Sequence, residues 1–236
     1  MNIKLYLFSL LFLINFWNKL TAQTIATDRP SALTENATTI YHQGIQIESG
    51  MQVNRDSFGN TLSSIPNLLL RYGLTENIEI RIINDLFLSE NKQITIGEFQ
   101  IGSKIQLIKK EKYALAFLPS FQLSKSSMDI TNVESLPLSS KFVGSYSFSN
   151  SLSAGYTIGY TFNSKTIGYS FLMSQSISEK ITAFVEFYGF NDQFNFDTGM
   201  AFLIKDNLQL DTYFGTGINN KMYFGSVGIS YLFLKQ

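Results

Sequence analysis

The chain has 236 residues, 18 basic and 18 acidic side chains, one histidine and no cysteine. Zero net charge excludes the broad basic face that a nucleic-acid partner would require. The missing cysteines exclude disulfides, thiolate nucleophiles and cysteine-based metal centres together, and one histidine alone offers no metal-ligand spacing and implies no cofactor.

At the N-terminus, Lys4 precedes an almost unbroken apolar stretch from Leu5 to Trp17, and a short polar exit ends at the small residue Ala22. That order predicts a cleaved signal peptide over residues 1–22 with Gln23 as the new terminus. The apolar stretch falls short of the roughly 20 residues a spanning helix needs. No later run is long and apolar enough to span as a helix. Residues 23–43 follow as a polar stretch without a strand-length apolar face. Two places are open to it: loose in the periplasm, or folded into a lumen as a plug, with Asp28, Arg29 and Glu35 as the groups that would pair there.

From Gly44 onward the dominant period is two, which is the period of a strand rather than a helix. Between Ser151 and Phe162, for example, Leu152, Ala154, Tyr156, Ile158, Tyr160 and Phe162 share one face, while serine, threonine and glycine occupy the other. The alternation predicts strands at 45–53, 64–74, 77–87, 94–108, 112–124, 137–148, 151–162, 165–175, 180–190, 193–204, 207–217 and 221–233. Most exceed the ~5–6 residues usual in soluble sheets and match the ~9–11 of tilted membrane strands. Tight polar turns at Thr75-Glu76, Lys109-Lys110-Glu111, Asn150, Ser178-Glu179 and Asp206 alternate with longer connections, notably 54–63, 88–93 and 125–136. Segments 73–80, 176–183 and 203–210 repeat one hairpin plan, an aliphatic residue on each side of an acidic turn. The fold class is therefore all-β: a transmembrane antiparallel β-barrel of about 12 strands over residues 44–236, with a short N-terminal non-barrel segment. In hydrocarbon an unpaired backbone group costs several kcal/mol, so the first and last strands must pair.

With each apolar face turned to lipid, Glu48, Arg71, Glu79, Arg81, Asp85, Glu98, Lys104, Lys141, Glu186, Asp197 and Asp211 point inward. Tyr72, Tyr113, Phe148, Phe162, Tyr188, Phe190, Phe202, Tyr231 and Phe233 are placed for interfacial girdles. Glu48, Arg71, Glu79, Arg81, Glu98 and Lys104 are the candidates for a lumen constriction, since rings of charge tune solute passage. The same charges could instead form an internal salt-bridge network that fills the lumen. Both readings stand, because twelve strands fall between barrels packed solid and barrels with an open channel.

Catalysis finds no footing. A hydrolase needs a base positioned by a third group, and the one histidine, His42, sits at the entry to the first strand. Gly215-x-Gly217 is followed by Asn220 where a phosphate fingerprint needs glycine, and it reads as hairpin glycine.

The run Thr27-Asp28-Arg29-Pro30, then Thr34-Glu35, then Gln46-Ile47-Glu48-Ser49-Gly50 resembles the opening of the MetA-pathway phenol-degradation family of outer-membrane barrels. The resemblance implies a Gram-negative outer-membrane location and uptake of small hydrophobic or aromatic compounds. The expected function is thus a channel or transporter for small solutes rather than an enzyme, with the lipid bilayer and the barrel-assembly machinery as partners. A closed structural or interaction barrel is the alternative.

Overall fold

The structure is a computed structural model and describes residues 25–29, 31–56, 58–89, 94–97, 99–123 and 138–233. The expected signal peptide, the whole of the connection 125–136, and Glu98 lie outside the described residues. The strands are β1 (Ile45–Arg55), β2 (Thr61–Gly73), β3 (Ile78–Ser89), β4 (Ile94–Ile96), β5 (Phe99–Lys109), β6 (Tyr113–Leu123), β7 (Leu138–Ser147), β8 (Leu152–Thr161), β9 (Thr166–Ser178), β10 (Ile181–Phe190), β11 (Gln193–Lys205), β12 (Leu208–Gly217) and β13 (Tyr223–Phe233).

Each strand pairs antiparallel with its neighbours, and the sheet closes where β1 meets β13 from Ile45↔Phe233 to Arg55↔Tyr223. Closure leaves no sheet edge running the height of the wall. The predicted strand 94–108 is divided, with β4 and β5 lying one above the other along β3. The division falls at Gly97, whose amide donates to the Asp85 carbonyl. Twelve staves therefore form the wall, one of them in two pieces.

The alternation decides what each face meets. Tyr156, Phe171, Phe187 and Phe196 stand directly opposite one another across β8 to β11 and form part of an apolar outer row. On the inner face of the same strands, one residue further along, Thr157, Ser170, Tyr188 and Asn195 make the matching row. Outside, Ile158, Phe171 and Phe187 are about half exposed in the isolated chain, which is the surface that lipid would cover. Inside, charged residues are buried.

Three expectations need correction. The connection 54–63 is shorter than it reads, because β1 runs on to Arg55 and β2 begins at Thr61. Asp56 then closes the turn by accepting from the Phe58 and Asn60 amides. Tyr188 does not belong to a girdle: it is buried on the lumen face, edge-on to Phe224. Phe190 shares that face and lines a small cavity with Leu33 at the outer rim. The remaining girdle candidates keep their outward faces, with Tyr113, Phe148, Phe162 and Phe233 all exposed.

The turns at 74–77, 110–112, 148–151, 179–180 and 206–207 share one end of the barrel with the start of β1 and the end of β13. This is the turn end. The opposite rim is the loop end.

Candidate functional site

Residues 25–29 and 31–43 do not hang below the barrel. Ile25 packs with Leu203 and Leu232 at the turn end. The chain climbs into the lumen, crosses it between Arg29 and Glu35, and descends to Tyr41, whose hydroxyl donates to the Phe233 carbonyl back at the turn end. Two backbone bonds, Gln43 to Gly73 and Gly44 to Tyr41, then lead it into β1.

The three sequence elements singled out above meet here. The amides of Asp28 and Arg29 donate to the Glu48 carboxylate at 2.9 and 3.0 Å. Gln46 donates both to the Ala26 carbonyl and to Glu48. The Arg29 guanidinium reaches across to Asp211 on β12 at 3.0 Å and also donates to Asn67 and Ser226. It lies flat over Gly50 and Gly228, which face each other across the β1–β13 seam. A Cβ on Gly228 would stand 2.1 Å from the Arg29 Nε. These glycines are needed for close approach.

Around this crossing the charges interlock. Asp28 pairs with Arg81, with Lys104 at 2.9 Å and with Arg71 at 3.8 Å. Glu35 pairs with Arg81 at 2.7 Å and with Lys141 at 2.6 Å. Arg71 is shared between Glu48 at 2.9 Å and Glu79 at 2.8 Å, and it also donates to the Ala26 and Thr38 carbonyls. Asp28, Glu35, Glu48, Glu79 and Asp211 thus balance Arg29, Arg71, Arg81, Lys104 and Lys141 one for one. A buried ion is expensive without a partner, and in this network every one is partnered.

The carboxyls contributed by the segment are held ionised. Burial alone would push Asp28 up, but Arg71, Arg81 and Lys104 hold it well below the usual carboxylate range. Burial opposes Arg81 and Lys141 in the same way at Glu35, and its carboxyl also lies below the ordinary value. An opposite charge within hydrogen-bond distance outweighs the desolvation.

At the far side of the crossing, Glu186 on β10 accepts the amides of Ala32, Leu33 and Thr34. Thr34 donates to the Ser170 hydroxyl at 2.7 Å, and the Glu35 amide donates to Thr157. On the descending limb, Gln106 donates to the Ala37 carbonyl and Glu79 accepts the Ile40 amide. Ala37 packs against Ala114, Ala116, Leu118 and Val143.

Of the expected constriction residues, the structure brings together Glu48, Arg71, Glu79, Arg81 and Lys104, joined to Asp28, Arg29 and Glu35. Glu98 is outside the described residues. Strand parity gave Asp211, Lys141 and Glu186 an inward face without marking them as contacts of the segment. Gly50 closed one of the quoted sequence elements without a role, and Gly228 was not singled out, because only the register of β1 on β13 shows that the two glycines face each other.

Among solved structures, a KdgM porin in complex with disordered oligogalacturonate superposes with a TM-score of 0.62 at 9% identity, over 80% of this chain and 99% of that one. An outer membrane channel from Pseudomonas putida F1 gives 0.57 at 11% identity, over 87% and 99%. The NanC porin gives 0.57 at 8%, over 79% and 98%. At such identities the likeness is one of fold. No curated protein matches the chain. The model of one protein family matches residues 27–233, from the lumen-crossing segment to the last strand. The chain therefore belongs to the family described as "Putative MetA-pathway of phenol degradation".

Proposed function

We propose that the chain is an outer-membrane channel for small solutes, exported by a signal peptide over residues 1–22, in which residues 23–43 act as a plug. The observation that carries this reading is the crossing of the lumen by Arg29 to Glu35, tied to walls on opposite sides by Asp211, Arg81, Lys141 and Glu186. A twelve-stave barrel is wider than the eight-stranded kind that side chains alone fill, and this segment occupies part of the extra space. Glu48, Arg71, Glu79, Arg81 and Lys104 then serve as the plug's socket, with the turn end toward the periplasm. The family's description supports phenolic or other small aromatic compounds as the finer choice of solute.

Planar-bilayer conductance and liposome swelling test the proposal. Removal of residues 23–40 should raise the conductance well above that of the full chain, and equal conductance would overturn the plug. Removal also strands buried charges, so a second variant keeps the test sharp. Thr34→Cys with Ser170→Cys, in a chain with no other cysteine, places two thiols where hydroxyls lie 2.7 Å apart. Oxidation should pin the segment and suppress conductance, and reduction should restore it. A barrel that passes no solute in any of these forms would instead be a closed scaffold.

A further inference from the structure

Apart from Lys141 on β7, the charged network occupies one side of the lumen. On the other side, between the N-terminal segment and β7 to β11, a cavity of about 430 Å³ opens. Its wall is built from short side chains at inward positions: Ser145 and Ser147 on β7, Ser153 on β8, Ser174 on β9 and Thr182 on β10. Gly155 and Ala201 widen it further. Leu172 and Phe184 add two apolar side chains to the same wall, and Ser153 and Ser174 share a hydrogen bond at 2.7 Å across the strand pair, so the hydroxyls offer both donors and acceptors to the space. Asp28, Arg29 and Glu35 touch the cavity from the segment's side, but both carboxylates are already paired with cations and the guanidinium with Asp211.

A second, smaller cavity of about 70 Å³ lies beyond Thr157, toward the loop end, between Leu33, Thr161 and Phe190. What separates the two is the contact of Thr34 with Ser170 and of the Glu35 amide with Thr157. Gly155 lets the segment come this close, since a Cβ there would stand 3.0 Å from the Thr34 methyl.

We infer that the hydroxyl-lined cavity along β7 to β10 is the solute site of the channel, that it takes small uncharged molecules bearing hydroxyl groups, and that the Thr34–Ser170 contact is its gate. The inference rests on the channel reading above and adds to it the lane and the class of solute. Serine and threonine hydroxyls offer both donors and acceptors, so a hydroxyl solute can exchange its water bonds for wall bonds with little penalty. An ion entering the same lane meets no free counter-charge, and its desolvation goes unrepaid.

Single-cysteine variants of the full chain test the lane. Ser153→Cys and Ser174→Cys place a thiol in the proposed site with little change of volume. Ser230→Cys places one on the charged wall, where Ser230 is fully buried. In liposomes containing the unmodified chain, erythritol should enter much faster than gluconate. Treatment with a bulky methanethiosulfonate reagent should label Ser153→Cys and Ser174→Cys and abolish most erythritol influx, while Ser230→Cys stays unlabelled until the barrel is unfolded. Erythritol influx that survives complete labelling, or thiols that stay unlabelled in a conducting barrel, overturns the lane alone. Gluconate entering as fast as erythritol overturns the solute class. No erythritol influx through the unmodified chain overturns the lane and its solute class, and only the absence of influx through every form, the chain lacking residues 23–40 included, overturns the channel reading with them.

Discussion

The two sides of the lumen are built on the same strand pairing and the same alternation, yet they hold opposite kinds of side chain. The inward positions of β1, β2, β3, β5 and β12 include Glu48, Arg71, Glu79, Lys104 and Asp211, which reach to mid-lumen and grip the segment. The inward positions of β7 to β9 include Ser145, Ser153, Gly155 and Ser174, which stop near the wall and leave room. Long ionic side chains anchor, and short hydroxylic ones vacate. A barrel that was charged all round would clamp the segment from every side, and one that was hydroxylic all round would give it nothing to hold. Glu186 extends the grip across to the hydroxylic side by taking three amides from the segment.

The comparison breaks most severely if the charged side loses a cation. Arg71→Met leaves Glu48 and Glu79 buried without their shared partner, a defect that costs about 3–5 kcal/mol in comparable buried pairs. Urea unfolding in micelles should show the loss, and adding Glu79→Gln should recover part of it. Asp211→Asn should cost less, about 1.5–3 kcal/mol for a hydrogen bond to a charged group. Its clearer signature should be noisier single-channel current as Arg29 comes free.

Acid should act through the segment's own carboxyls. Asp28 and Glu35 both have folded values below their unfolded ones. The stability they contribute is therefore fully present above the ordinary carboxylate value of about 4 and is lost as pH falls through the depressed folded values. Release of the segment through these two groups should come only below about 4, read as an acid step in conductance. Asp28→Asn should weaken that step. Gly228→Ala should mimic Asp211→Asn in part by displacing the guanidinium, and should add nothing once Arg29 is replaced by glutamine. At the smallest end, Ser153→Ala removes one hydroxyl pair on the open side and should change stability by no more than about 1 kcal/mol.

Strand number, the inner face of each strand and the burial of its charges were legible because a two-residue period has only two phases. Once lipid claims the apolar phase, Glu48, Arg71 and Asp211 have one direction left to face. The same logic could not say which charge meets which across the lumen. Parity gives a face, whereas the Arg29–Asp211 pair joins residues 182 apart in sequence. Tyr188 and Phe190 were misplaced because an aromatic near a strand end suits an interfacial girdle in either phase, and composition outweighed parity. The path of residues 25–41 was illegible for another reason. The segment has no repeating pattern, and its shape is set by acceptors such as Glu186 and Glu79 that belong to distant strands.

Arg29 lies across Gly50 and Gly228, the one pair through which the first and last strands present bare backbone to it. Moving that seam by one residue would turn every side chain of β1 to the wrong face, so the slip that preserves the faces is two residues. Such a slip would set Ser226 or Ser230 opposite Gly50 and crowd the guanidinium away from Asp211. The segment thereby acts as a gauge for the circumference: it seats fully only in a ring whose ends have met in step, and it couples correct joining of the termini to the occupancy of the bore.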